Sequence, residues 1–201
     1  MCFLFNHLSR AVRIAGAVFI GFIFVLAPSA QALPLPWAAS DIGGPAVAGS
    51  AGENSGTFTI EAAGEDIWGI ADQFHFVYQK FTGDVDVIAR VASVTNADAW
   101  SKAGVMIRGS LSAGSAHAFA LVSAGKGMAF QRRTADGGAT THTAGPASAA
   151  PQWVRVERTG STVTASASSD GVTWTTIGSD TIALGSTVYV GLAATDRKSV
   201  V

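Results

Sequence analysis

The chain has 201 residues, with 13 Lys and Arg against 14 Asp and Glu, and charged residues make up only 13% of it. That length suits one domain. Few charges and 23 glycines exclude a charged helical protein and a disordered acidic tail, and fit a tightly packed β-protein.

The first 32 residues read as a secretory signal. Arg10 and Arg13 form a basic start, Ile14 to Ala27 is apolar, and Ala30-Gln31-Ala32 is a small-x-small cleavage site. A helix over the apolar run spans about 21 Å, short of the roughly 30 Å hydrocarbon core. The sole cysteine, Cys2, lies in this leader, so the exported part is expected to hold no disulfide, zinc-thiolate site or cysteine nucleophile. Cleavage removes Arg10 and Arg13 and leaves 11 basic against 14 acidic residues, a net charge of −3. A slightly acidic surface argues against nucleic acid, and against an anionic membrane once the leader is gone. The expected location is outside the cytoplasm: secreted, periplasmic or at the cell surface.

After the extended Leu33-Pro34-Leu35-Pro36-Trp37 entry, no useful segment has a 3.6-residue period. Short alternating runs recur between Gly, Asp, Asn and Ser. Strands are expected near 57–62, 73–81, 84–93, 102–109, 116–122, 127–134, 153–159, 161–168, 172–178 and 187–194. Asp136-Gly137-Gly138 closes a hairpin between Phe130–Arg133 and Thr140–Thr143, and Thr159-Gly160-Ser161 closes another. Ser168-Ser169-Asp170-Gly171-Val172-Thr173-Trp174 resembles an Asp-box, a hairpin motif found in sialidases and other glycan-associated β-proteins. There Asp170 is expected to accept backbone N–H bonds while Trp174 packs beneath the turn. The motif occurs once, whereas a propeller would repeat it.

Alternation sorts the side chains into faces. Ala103, Val105 and Ile107 share one face, and Lys102, Gly104, Met106 and Arg108 the other; Gln131 pairs with Arg133, and His117 with Phe119 and Leu121. Phe58, Ile60, Val77, Val105, Ile107, Val154, Val156 and Val190 are the expected interior. Long polar and aromatic side chains on one face suit a carbohydrate cleft, where rings cover sugar C–H faces and planar polar groups bond hydroxyls. The expected ligand-binding residues are Trp68, His75, Trp100, Lys102, Arg108, Gln131, Arg133 and Trp153. The same residues also fit ordinary cross-strand ladders.

Catalytic signals are weak. Jelly-roll glucanases need two carboxylates about 5–5.5 Å apart when retaining. Asp84-Val85-Asp86-Val87-Ile88-Ala89 places two acids on one face, but the third position is Ala89 where such sites carry Glu. No Gly-x-Ser-x-Gly elbow occurs. Asp66, Asp72 and Asn96 offer oxygens for calcium, yet scattered acids are usually just solvated. His75, His117 and His142 lack metal-ligand spacing. No catalytic residue, metal or cofactor is assigned.

Several runs carry a family resemblance: Asp66-Ile67-Trp68-Gly69, Phe74–Gln79, Ile88–Val91, Trp100-Ser101-Lys102-Ala103-Gly104-Val105-Met106-Ile107-Arg108, Phe130–Arg133 and Trp153-Val154-Arg155. Together they resemble a bacterial family of domains labelled "regulation of enolase protein", in the concanavalin A-like lectin/glucanase superfamily, from about Leu35 to Thr195. The resemblance implies an all-β fold, a two-sheet antiparallel jelly-roll sandwich, and a secreted module often found beside carbohydrate-active or peptidase domains. The superfamily holds lectins, binding modules and glycosidases, so the fold leaves the activity open.

Residues 196–201, Asp-Arg-Lys-Ser-Val-Val, break the pattern and look like translated sequencing-adapter DNA. The expected organisation is therefore a leader over 1–32, a concanavalin A-like sandwich over 33–195 and a non-native tail over 196–201. The resemblance implies a further last strand, whose loss is expected to leave a sheet edge open near an N-terminal strand. The expected function is a secreted, non-catalytic carbohydrate-binding module. A cryptic glycosidase or polysaccharide lyase, and an envelope or adhesion module with a protein partner, remain the alternatives. The oligomeric state is unassigned.

Overall fold

A computed structural model describes residues 2–8 and 32–198, the first segment as backbone only. Every regular element in them is a strand. They are β1 (Cys2–Leu8), β2 (Ala38–Ile42), β3 (Ser50–Asn54), β4 (Thr57–Glu61), β5 (Phe74–Thr82), β6 (Val85–Val94) and β7 (Lys102–Arg108). The second half adds β8 (His117–Ser123), β9 (Met128–Arg133), β10 (Thr141–Ala144), β11 (Gln152–Thr159), β12 (Thr162–Ser168), β13 (Thr175–Thr181) and β14 (Thr187–Thr195). Two seven-stranded antiparallel sheets form a sandwich. One runs β13-β12-β11-β6-β1-β4-β3, the other β10-β9-β8-β7-β14-β5-β2. Among the described residues no helix is long and apolar enough to cross a membrane.

The main core lies between the sheets. Phe58, Ile60, Val87, Val91, Val154 and Val156 from the first meet Val77, Val105, Ile107, Ala120, Phe130 and Val190 from the second. All eight expected interior residues are in it. The period-2 pattern produces this directly, since every second side chain of a strand faces the partner sheet.

The second sheet has another apolar layer on its outer face. Phe74, Phe76, Met106, Phe119, Leu121 and Ala193 pack there against Ile42 and Ile67. Ile67 belongs to the crossing segment 62–73. Gln73 N–H bonds the Asp66 carbonyl at 2.7 Å, Asp72 N–H the Ala113 carbonyl at 3.0 Å, and Thr140 N–H the Gly69 carbonyl at 2.8 Å. This cover buries every residue of β7 and β8 on both faces. The alternation of β7 predicts a solvated polar face; the structure instead roofs it.

Four elements escape the pattern reading, the first being β1, which falls inside the expected leader. β2 and β3 lie in Ala- and Gly-rich sequence with no apolar alternation. β13 begins at Thr175, not 172, because Asp170 to Trp174 complete the Asp-box. There Asp170 Oδ1 accepts N–H bonds from Val172 (2.8 Å) and Thr173 (2.7 Å), and a hydroxyl bond from Ser168 (2.8 Å). The ring lying against this turn is that of Trp153, which a Cβ at Gly171 would meet at 2.8 Å. Trp174 sits instead under the Arg155 guanidinium, 5.9 Å away.

The backbone donors of Thr173 and Val172 hold the Asp170 carboxyl far below the usual carboxylate range. A depressed carboxyl stabilises the fold above its unfolded value and loses that contribution as pH falls through its folded one. Asp170→Asn is therefore expected to lower the melting temperature at pH 7. Melts between pH 7 and 2 should show the gap to the parent closing toward the acid end; a gap independent of pH would refute the assignment.

Candidate functional site

Cross-strand register builds the site. Lys102 of β7 pairs with Ser123, and Gln131 of β9 pairs with His142 of β10. Over them, residues 66–68 cross from one side, and the loop before β7 supplies Trp100. The result is a cleft of about 350 Å³ lined by Asp66, Trp68, Trp100, Lys102, Gln131, His142 and Arg197.

Its floor is polar and preorganised. Lys102 is buried, and its Nζ donates to Asp66 Oδ1 (2.6 Å), Gln131 Oε1 (3.0 Å) and the Ile67 carbonyl (3.3 Å). Burial pulls the Lys102 ammonium below its ordinary value, with Asp66 opposing. The ammonium also lies 5.7 Å from the Trp68 ring and 5.6 Å from that of Trp100. Three donors directed at three acceptors fix the ammonium, and Gln131 is locked with it.

The walls are aromatic. The His142 ring meets Trp68 edge-on at 6.4 Å and Trp100 at 5.7 Å. Trp68 is 41% exposed, so its indole spends much of its apolar surface on solvent. Partial burial, then the cations Lys102 and Arg132, lower the His142 imidazole's affinity for a proton. On the rim, Arg197 Nε reaches Asp66 Oδ2 at 3.1 Å and Arg197 Nη1 reaches Asp98 at 3.5 Å.

Four of the eight expected ligand residues, Trp68, Trp100, Lys102 and Gln131, thus share one cleft. The other four do not join it. Arg108 and Arg133 lie on the expected face, in one cross-strand row with His117 of β8 between them, but both are fully buried. Arg133 grips the crossing segment. Its Nη1 and Nη2 donate to Asp72 at 2.9 and 2.7 Å, and further bonds reach the Gly69, Ser115 and Gly138 carbonyls. Arg108 donates to the Ser110 and Ser112 carbonyls, and burial pulls its pKa down to about 10. Both arginines therefore act as internal clamps, out of a ligand's reach. His75 lies on the inner face with Val77, where its Nδ1 sits 2.7 Å from Asp41. Trp153 belongs to the other sheet and packs on the Asp-box.

Sequence reasoning treats Asp66 as a calcium candidate and His142 as an ordinary strand residue. The hairpin arithmetic contains the missing signal. With Asp136-Gly137-Gly138 at the turn, position 142 falls opposite Gln131, so His142 shares its face. Asp66 and Asp72 each carry a protein cation, Lys102 and Arg133 respectively, which uses the oxygens a calcium ion would need. Asp84 accepts the Gly160 N–H, and Asp86 pairs with Arg155 at 2.8 Å.

No family model matches the chain, and no curated protein matches it. Among solved structures, it is similar to a functionally unknown protein from Saccharomyces cerevisiae. That likeness has 18% identity over 78% of this chain and 85% of the other, with a TM-score of 0.61. At that identity the likeness carries the fold, an all-β antiparallel sandwich.

Proposed function

We propose that the protein is a secreted, non-catalytic module that binds a glycan in the Trp68–Trp100 cleft. The convergence of two indoles and an imidazole above the fixed Lys102–Gln131 floor carries this reading. Apolar ring faces suit the C–H side of a sugar, and the Gln131 amide N–H and the His142 imidazole, held in place by the Lys102 ammonium, suit its hydroxyls. The ammonium between the two indoles disfavours a cationic ligand, so the ligand class is a neutral or acidic saccharide. The resemblance to concanavalin A-like jelly-roll modules and the leader-like first 32 residues support the same assignment.

Binding without hydrolysis is favoured because the cleft lining holds one carboxylate among the described residues, Asp66, and Lys102 occupies it at 2.6 Å. Glycoside hydrolysis asks for two carboxyl groups with different protonation.

A glycan array followed by titration of each hit tests the reading. Trp68→Ala and Trp100→Ala are each expected to weaken binding by about tenfold to thirtyfold, the cost of removing an aromatic anchor. Trp153→Phe should leave it unchanged. An array blank for neutral and acidic glycans, or equal loss in all three variants, would refute it.

A further inference from the structure

The cleft between Trp68 and Trp100 is one-sided in its hydrogen bonding. Of the side chains that line it, only those of Asp66, Gln131 and His142 can accept a hydrogen bond; indole, ammonium and guanidinium groups only donate. Each of the three is engaged inside the protein. Asp66 Oδ1 accepts from the Lys102 ammonium at 2.6 Å and the Ile67 N–H at 2.8 Å, and Oδ2 accepts from Arg197 Nε at 3.1 Å. Gln131 Oε1 accepts from Lys102 Nζ at 3.0 Å. Just beyond the lining, Asp98 accepts from the Trp100 N–H at 2.7 Å and from Arg197 Nη1 at 3.5 Å.

His142 is set by a relay that starts at Lys102. The ammonium requires an oxygen opposite it, which fixes the Gln131 amide with Oε1 toward Lys102 and Nε2 toward β10. Gln131 Nε2 lies 3.4 Å from His142 Nδ1. An amide N–H faces that atom only where it accepts, so the imidazole proton sits on Nε2. The two ring nitrogens lie on opposite sides of the imidazole. The Nε2–H therefore points away from Gln131, and His142 is exposed on β10. Partial burial, then Lys102 and Arg132, favour the neutral ring. What is left for a ligand is a set of donors: His142 Nε2–H, and the Arg197 guanidinium, whose side chain is 40% exposed.

We infer that the cleft selects an acidic saccharide, seating a uronate carboxylate or a sulfate ester against His142 Nε2–H and Arg197 with the sugar ring on the indoles. This rests on the saccharide reading and narrows it. Every hydroxyl of a neutral sugar brings a proton that seeks an acceptor, and the lining has none unengaged. A carboxylate or sulfate accepts only, and its bonds to these donors are charge-assisted. The charge of the lining agrees, with Lys102 and Arg197 against the one carboxylate of Asp66. Arg197 falls in the tail expected to be non-native, whereas the Lys102–Gln131–His142 relay lies wholly within residues 33–195, so the test separates the two.

The probes are matched pairs on one glycan array: oligomannuronate with mannan oligosaccharide, oligogalacturonate with its methyl ester, and a carrageenan oligosaccharide with its desulfated form. Wherever a pair binds, the acidic member is expected to bind the full chain at least about tenfold more tightly at low salt, the worth of one charge-assisted hydrogen bond. The uronate and sulfate pairs tell the two anions apart. Arg197→Ala should narrow the gap about threefold without closing it. Gln131→Glu nearly conserves shape, but its carboxylate accepts both from Lys102 and from His142 Nδ1, which moves the imidazole proton and turns Nε2 into an acceptor. Nitrogen chemical shifts of His142 at pH 8.5 should report Nε2–H in the parent and Nδ1–H in this variant, and the variant should lose the acidic preference. Neutral members bound as tightly as acidic ones, or Nδ1–H in the parent, would overturn the inference while leaving a saccharide cleft. A gap closed by Arg197→Ala alone would overturn the relay. No binding to any glycan on the array would overturn this inference and the saccharide reading together.

Discussion

Arg133→Ala is expected to destabilise the fold by about 3–5 kcal/mol, the cost of breaking a buried ion pair by removing one partner. That is a large part of a typical domain's 5–15 kcal/mol. The guanidinium is fully buried and donates to both Asp72 oxygens at 2.7 and 2.9 Å, so its removal strands a carboxylate that has no solvent exposure. Arg108, 3.6 Å away, is already committed to the Ser110 and Ser112 carbonyls. Burial pushes the Asp72 carboxyl up, while Arg133 and Arg108 pull it down. Without Arg133 the upward push gains. Denaturant unfolding measures the loss. Asp72→Ala combined with Arg133→Ala should cost less than the two single losses summed, because the double variant leaves neither partner of this pair stranded, while Arg108 keeps its Ser110 and Ser112 carbonyls in every variant. Additive losses would show that the pair is not the origin.

The same variant should reach the proposed ligand cleft. Arg133 bonds the Gly69 carbonyl at 3.1 Å and, more weakly, that of Trp68 at 3.4 Å. Trp68 therefore stands where it does because a buried charge holds its backbone. Hydrogen exchange should rise across residues 66–72 in Arg133→Ala while β11 and β12 stay protected. Arg133 is thus a positioning residue for the cleft, a role that face-counting along β9 does not distinguish from ligand contact.

That distinction marks how far the sequence could be read. Val105 and Ile107 against Val154 and Val156 follow from alternation alone, and the two-sheet sandwich follows from them. The polar face of β7 and β9 follows too, since Lys102, Arg108, Gln131 and Arg133 do share it. What alternation lacks is the third layer. Segment 62–73 has no strand period, so nothing local says that Ile67 and Asp72 come down onto that face. Its arrival divides four similar side chains: Lys102 and Gln131 floor a cleft, while Arg108 and Arg133 vanish under the roof. His75 shows a different limit. Its neighbours Phe74 and Phe76 are as apolar as Val77, so β5 is buried on both sides and its alternation does not reveal which face is inner. β1 is a third case, because Cys2–Leu8 reads as part of a leader and yet takes a register between two strands.

Stability should fall steeply in mild acid through His117. The ring is completely buried beside Arg133 and Arg108, with Asp72 3.6 Å from its Nδ1 and Lys102 further off. Nδ1 lies 3.4 Å from the Ser115 carbonyl, whereas Nε2 is buried with no hydrogen-bond partner among the described residues. Burial first, then the two guanidiniums, hold its affinity for a proton well below the ordinary histidine value of 6.5. The unfolded chain therefore binds a proton below pH 6.5 that the folded chain refuses. Unfolding free energy must then drop as pH falls, by up to about 1.4 kcal/mol per pH unit for one proton. Two units of acidification cost about 2–3 kcal/mol while the folded ring stays neutral. His117→Gln, which does not titrate, should flatten that limb in denaturant melts between pH 7 and 4.5, whatever it does to stability at pH 7. A limb of unchanged slope would move the acid sensitivity elsewhere and remove His117 from the network that roofs the sheet.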